Sequence, residues 1–136
     1  MDFILASLQT LPNFIAYILV AAALLALFAL IYLWITPYPE LRLIGQGNSA
    51  AALNFVAALF GFILPLANVI AHSVNLVDVV LWAGVALVVQ LLAHLVSRLL
   101  IADFTAKIEA ANMAAAILAS GLAVGFGLLN AACLTY

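Results

Sequence analysis

The chain has 136 residues, of which 71% are hydrophobic and 6% charged, and its mean hydropathy is +1.40. A soluble domain of this length needs a polar shell, and three Lys/Arg with five Asp/Glu cannot supply one. The sequence therefore predicts an all-α, polytopic membrane protein. A net charge of −2 leaves no basic surface for nucleic acid, and a single cysteine, Cys133, excludes an internal disulfide and a multi-cysteine metal site.

The N-terminal third predicts an interfacial segment followed by a first span. Residues 1–12 lack the cationic start of a signal peptide and are expected to lie at the membrane interface. Residues 14–35 carry no charge and are long enough to cross the bilayer core, which takes about 20 residues. Pro37 and Pro39 follow, and they end the span because proline removes backbone donors and restricts the preceding residue.

Three further apolar stretches predict the remaining spans, at about residues 49–71, 79–101 and 112–136. A glycine-rich break precedes the second span, and short polar links precede the third and the fourth. The sequence thus predicts one membrane domain, residues 1–136, built from four transmembrane helices.

A motif that occurs twice relates the two halves of the chain. The order Asn, one residue, three alanines, eight residues and Gly-Phe begins at Asn48 and again at Asn112. Each asparagine can cap the helix that follows it. Each copy falls on the second helix of a hairpin, so the internal repeat, residues 1–72 and 77–136, predicts two hairpins of the same orientation, related by an axis along the membrane normal.

The few cationic residues predict the orientation in the membrane. Arg42 lies in the first link, Lys107 in the third, and Arg98 near the end of the span that leads to the third link. Cytoplasmic links are enriched in Lys and Arg. Links one and three are therefore expected in the cytoplasm, with both termini outside.

Small and polar residues form stripes on the last three spans when the residues are placed at about 100° intervals. Lipid cannot satisfy an amide, and small residues allow backbones to approach, so these stripes are expected to face other helices. The packing candidates are Gly61, Pro65, which predicts a kink, and the Gly-x-x-x-Gly pair Gly121 and Gly125. The fourth span has small or polar residues on two faces, which predicts a central helix.

Six polar residues on the spans are candidate functional or structural residues, because buried polar groups are costly in a membrane. Similar depths predict two inter-helix pairs, Asn68 with Asn130 and Asn54 with His94. Gln90 and His94 are open to either a structural or a functional role, whereas Arg98 is expected to reach the cytoplasmic headgroups. The six candidates are Asn54, Asn68, Gln90, His94, Arg98 and Asn130.

Several short stretches, taken in order and spacing, resemble a known family. They include Thr36-Pro37-Tyr38, the Gln46-Gly47-Asn48 motif and residues 65–67, 88–92 and 128–132. Over nearly the whole chain, the sequence resembles the bacterial inner-membrane family of domain of unknown function 350, the YjfL-like proteins. The resemblance implies four spans and an inner-membrane location, and it supplies no reaction or catalytic residues. Ala111 departs from the family pattern, which usually has Gly at that position.

The sequence favours a non-enzymatic membrane component that acts by helix association with a second copy or with another membrane protein in the lipid bilayer. The alternative is a homo-oligomeric channel or permease in which the face with Gln90, His94 and Ser97 lines water. An enzyme is not expected, because the spans contain no carboxylate to pair with His94. No cofactor is expected, and no metal site, because His72 and His94 lie toward opposite sides of the bilayer.

Overall fold

The structure is a computed structural model that describes residues 1–134. These residues form seven helices, four of which supply spans long and apolar enough to cross a membrane, and this confirms the predicted class. The predicted end of the fourth span at Tyr136 lies outside the described residues. The helices are α1 (Asp2–Gln9), α2 (Leu11–Ile35), α3 (Glu40–Gly45), α4 (Ser49–His72), α5 (Leu76–Leu100), α6 (Phe104–Glu109) and α7 (Met113–Cys133).

The helix α2 has apolar residues on every side, and both α1 and α2 expose most of their surface. Thr10 ends α1, and Pro12 lies in the first turn of α2, where an N–H group has no intrahelical partner to lose. The buried residues of α2 are Phe28 and Tyr32, near its C-terminal end. The exposed circumference of α2 is therefore suited to lipid.

The centre of the bundle is the pair α4 and α7, which pack against each other along much of their length. The helix α5 packs against both of them, and α2 packs against α4 and α5. In the apolar core, Phe28 stacks on Phe62 with ring centroids 4.7 Å apart. A second core, around Tyr38, Phe104 and Ile108, joins the short helices α3 and α6 to the starts of α4 and α7.

The segments that lead into α4 and α7 have the same local structure. The side chain of Asn48 accepts from the N–H of Ala51 at 3.0 Å, and that of Asn112 accepts from the N–H of Ala115 at 3.2 Å, so both asparagines are helix caps. The residues before them, Gly47 and Ala111, have left-handed backbones with φ of 89° and 59°. The two-hairpin arrangement and its axis remain predictions.

The left-handed backbone at Ala111 gives a first testable expectation. An L-residue with a Cβ pays about 1–2 kcal/mol in this region, and glycine does not. Ala111→Gly is therefore expected to raise the free energy of unfolding by about 1 kcal/mol, measured by denaturant titration in detergent micelles. The matched control is Ala110→Gly, since Ala110 has φ of −81°. A variant Ala111→Gly no more stable than the control would contradict the expectation.

The glycines of α7 differ from the predicted packing. A Cβ added at Gly127 would lie 2.3 Å from the carbonyl oxygen of Gly61, so these two glycines allow α4 and α7 to approach closely. At Gly121 and Gly125, no neighbouring atom among residues 1–134 lies within 4 Å of an added Cβ. The sequence predicts contacts on both faces of α7, but the described chain covers only one, because α4 and α5 both lie on the side of Gly127.

Pro65 leaves the carbonyl group of Gly61 without its helical hydrogen bond. Proline cannot donate to the carbonyl one turn before it, which is that of Gly61. The structure places this freed carbonyl against Gly127, and Pro65 itself is buried within the continuous helix α4. The kink predicted at Pro65 stays a prediction.

Candidate functional site

The largest group of buried polar side chains lies where α2, α4 and α5 meet the segment before α3. Residues 36–40 alternate between buried and exposed: Thr36, Tyr38 and Glu40 point inward, and the two prolines point outward. Successive side chains of an extended backbone point to opposite sides, and proline favours such a backbone. In the sequence Thr-Pro-Tyr-Pro-Glu, a hydroxyl, a phenol and a carboxyl group therefore point into the interior.

Asn54 connects this segment to α2. Its side-chain nitrogen donates to the hydroxyl oxygens of Tyr32 at 2.8 Å and Tyr38 at 3.0 Å, which uses both amide hydrogens. Asn54 is predicted to pair with His94, but its two amide hydrogens bind the tyrosines. The two side chains instead line the same cavity, whose volume is about 10 Å³. This volume is close to the minimum for one water molecule.

His94 is held mainly by aromatic rings. Its ring meets that of Tyr32 edge-on at a centroid distance of 4.8 Å and that of Phe104 at 6.2 Å. Its Nε2 atom is buried and has no hydrogen-bond partner among residues 1–134. Arg98, one turn further along α5, is exposed, and its contact with headgroups remains a prediction.

Glu40 is the most unusual group in the cluster, because it is an acidic side chain with only 1% of its surface exposed. Its carboxyl faces the hydroxyls of Tyr38, Thr36 and Tyr32. Neither carboxyl oxygen makes a hydrogen bond of normal geometry with any residue of 1–134. Burial raises the pKa of Glu40 to about 7, against the smaller opposing effect of the three hydroxyls.

The same surroundings act on Tyr38. Burial, and then the neighbouring carboxylate of Glu40, raise the pKa of Tyr38 well above its ordinary value. Its hydroxyl therefore stays protonated at neutral pH and acts as a hydrogen-bond donor. Sequence reasoning missed Glu40 as a site residue. The available signal was an acidic residue in register with Tyr38 on a proline-spaced extended segment.

The amides of Gln90 and Asn130 connect α5 and α7 deeper in the bundle. The side-chain nitrogen of Gln90 donates to the carbonyl oxygen of Ala123 at 3.1 Å, and that of Asn130 donates to the carbonyl oxygen of Ala86 at 3.4 Å. Gln90 is 2% exposed, and its side-chain oxygen has no partner among residues 1–134. The face of α5 that carries Gln90 and His94 is thus buried inside the chain.

Asn68 binds the end of α7 rather than Asn130. Its side-chain nitrogen donates to the carbonyl oxygen of Ala131 at 2.7 Å and to that of Leu134 at 3.4 Å. The last carbonyls of a helix lack intrahelical partners and are available to such a donor. The predicted Asn68–Asn130 pair is therefore wrong in its partners, although Asn68 does connect α4 to α7.

Together, these helices define a polytopic α-helical membrane protein that encloses a cluster of polar side chains. A family model described as Domain of Unknown Function (DUF350) matches residues 6–134. The chain belongs to this family, which confirms the resemblance found in the sequence. Among the residues that the structure describes, no three His, Cys, Asp or Glu side chains group as metal ligands would.

The relatives agree with this assignment. The chain is 37% identical over 129 residues to the UPF0719 inner membrane protein YjfL of Escherichia coli (strain K12), which covers 95% of this chain and 98% of that protein. The protein of the same name from Escherichia coli O157:H7 matches to the same extent. No solved structure matches the chain. The predicted location in the inner membrane, as a multi-pass protein, is confirmed.

Proposed function

We propose that this protein is a non-enzymatic component of the inner membrane that acts by helix association through the outer face of α7. The partner is a second copy of the chain or another membrane protein. The observation that carries the proposal is the open space in front of Gly121 and Gly125, which lie one turn apart on the side of α7 that faces away from α4.

The composition of this face supports association. In lipid, helices associate by close packing, and small residues allow backbones to come within contact distance. Gly121 and Gly125 offer such a surface, whereas the exposed side of α2 presents Leu27, Leu30 and Trp34. Gly61 and Gly127 already contact each other where α4 crosses α7, so they are not available to a further helix. The outer face of α7 is therefore the surface best suited to a further helix.

The alternative, a homo-oligomeric channel or permease, requires Gln90 and His94 to face water. Both side chains are buried within one chain, with 2% and 8% of their surfaces exposed, and the amide of Gln90 is bound to Ala123. The cavity beside them has room for about one water molecule. These observations favour helix association over a pore lined by this face.

The test replaces the open glycines with a bulky residue. The variant Gly121→Leu/Gly125→Leu is expected to weaken self-association at least about tenfold, equivalent to about 1.4 kcal/mol, because the side chains fill the space that a second helix needs. Cys133 is exposed and is the single cysteine, so it can carry donor or acceptor dyes. Energy transfer between labelled copies in liposomes, followed over a range of protein-to-lipid ratios, measures the association.

The matched control is Gly84→Leu. Gly84 is exposed on α5 and, like the two glycines of α7, has no neighbouring atom among residues 1–134 within 4 Å of an added Cβ. This variant is expected to associate as the natural protein does. Equal energy transfer in all three proteins would contradict a role for the α7 face, and no transfer in the natural protein would contradict self-association.

A further inference from the structure

We propose that Glu40, with Tyr38, Tyr32 and Thr36, forms a site that binds and releases a single proton where the segment before α3 meets the bundle. The first observation is the burial of the carboxyl, which is 1% exposed and lacks a hydrogen bond of normal geometry among residues 1–134. A carboxylate that is removed from water and left without a partner is costly, so the group must either find donors or take up a proton.

The hydrogen bonds of Asn54 define what the two tyrosines can do. Asn54 donates one amide hydrogen to each phenol oxygen, so those oxygens act as acceptors toward it. Asn54 does not use the hydroxyl hydrogens of Tyr32 and Tyr38. These two hydroxyls face each other, and both also face the carboxyl of Glu40. Either hydroxyl can therefore donate to the ionised form of Glu40.

Thr36 provides for the protonated form. Its hydroxyl donates to the backbone carbonyl of Tyr32, one turn earlier, which leaves the oxygen of Thr36 as an acceptor. A neutral Glu40 can donate its proton to this oxygen while its other oxygen accepts from Tyr38. The carboxylate thus has hydrogen-bond donors beside it, and the carboxylic acid has an acceptor. The proton is exchanged between Glu40 and water, and no other covalent bond forms or breaks.

The hydrogen-bond donors around Glu40 also disfavour a metal ion at this position. Hard cations need several oxygen lone pairs directed at them. Here each phenol oxygen already accepts from Asn54, and the hydroxyls beside Glu40 are themselves donors. The donors around Glu40 therefore favour binding of a proton over binding of a metal cation.

The charges around Glu40 leave its protonation state free to change. The titratable groups that face it are Tyr32 of α2 and Tyr38, and the ring of His94 of α5 lies behind Tyr32, with Arg98 one turn further on and exposed. From α4 the cluster receives Asn54, and from α6 it receives Phe104, neither of which titrates. Among the described residues, no cation pairs with the carboxyl. Its pKa of about 7 agrees with exchange near neutral pH.

The experiment is an infrared pH titration of the full chain in lipid nanodiscs, between about pH 5 and pH 9. A carboxylic acid has a carbonyl band that disappears on ionisation. We expect a band that is lost with a midpoint near 7 in the natural protein and in the control Glu109→Gln, whose side chain is exposed on α6. Glu40→Gln is expected to lack this band. A band that persists in Glu40→Gln, or a midpoint below about 5 in the natural protein, would overturn the proposal.

Two further measurements keep the proposal testable if Glu40→Gln folds poorly. Tyr38→Phe removes a donor to the carboxylate and is expected to raise the midpoint by about one pH unit. An unchanged or lowered midpoint would contradict the assigned role of Tyr38 and overturn the site. The band is expected to be the same in sodium chloride as in choline chloride at constant pH. Loss of the band in sodium chloride would show that the site binds a metal cation, and this would overturn the proposal.

Discussion

A single methyl group added at Gly61 is expected to disrupt the packing of α4 against α7. The Cβ of Gly61→Ala would lie 2.4 Å from the carbonyl oxygen of Ala123 and 2.1 Å from the side-chain nitrogen of Gln90. The side chain of Gln90 can move, but the backbone carbonyl moves only with its helix. Overpacking of this kind costs about 1–3 kcal/mol or more, and we place Gly61→Ala at the upper end, about 3 kcal/mol. Gly127→Ala is expected to act similarly from the other helix.

The comparison that isolates this effect is Gly121→Ala, since it adds the same methyl group to α7 where no neighbouring atom among the described residues lies within 4 Å. Titration with a denaturing detergent, followed by circular dichroism, measures the free energy of unfolding of each variant. Gly121→Ala is expected to be at least as stable as the natural protein, because alanine has the higher helix propensity. A Gly61→Ala variant as stable as Gly121→Ala would show that α4 and α7 do not meet as described.

The second large effect is a pH dependence of stability that originates at Glu40. Burial places its folded-state pKa at about 7, above its ordinary value of 4.5. At Glu40, the folded protein therefore binds more protons than the unfolded protein between these values. The contribution of this group to stability falls as the pH rises through this range and levels off above it. The loss is at most about 3 kcal/mol, because one pKa unit corresponds to 1.36 kcal/mol.

Glu40→Gln removes the ionisable group while keeping its shape. The excess of its free energy of unfolding over that of the natural protein is expected to grow by about 2 kcal/mol between about pH 5 and about pH 8. Glu109→Gln, at an exposed position, should retain the pH dependence of the natural protein. The same slope in Glu40→Gln as in the natural protein would assign the dependence to another group.

Much of the fold follows from patterns local to the sequence. The four spans are runs of apolar residues, and their lengths are set by the thickness of the bilayer. The caps at Asn48 and Asn112 depend only on residues within one turn, so their spacing to the following helix is sufficient to predict them. The buried face of α5 also follows from helical periodicity, because Gln90, His94 and Ser97 recur on one side.

The partners of the polar residues could not be predicted in the same way, because they depend on distant parts of the chain. Depth along the bilayer paired Asn54 with His94, but the extended segment before α3 brings the hydroxyl of Tyr38 to Asn54. The Gly-x-x-x-Gly spacing of α7 likewise marks Gly121 and Gly125, while the face that meets α4 is that of Gly127. Spacing identifies a face that can pack, and the neighbouring helices decide which face does.

The C-terminal helices α6 and α7 supply backbone acceptors for side-chain amides that lie earlier in the chain. Gln90 donates to Ala123, Asn68 donates to Ala131, and Asn48 donates to the carbonyl of Ile108 at 2.8 Å, just ahead of α7. During synthesis, α4 and α5 emerge from the ribosome with these donors unsatisfied, in a medium where each unpaired amide is costly. Completion of the bundle is therefore delayed until α6 and α7 are inserted. A nascent chain halted after α5 would leave the amides of Gln90 and Asn68 without these acceptors.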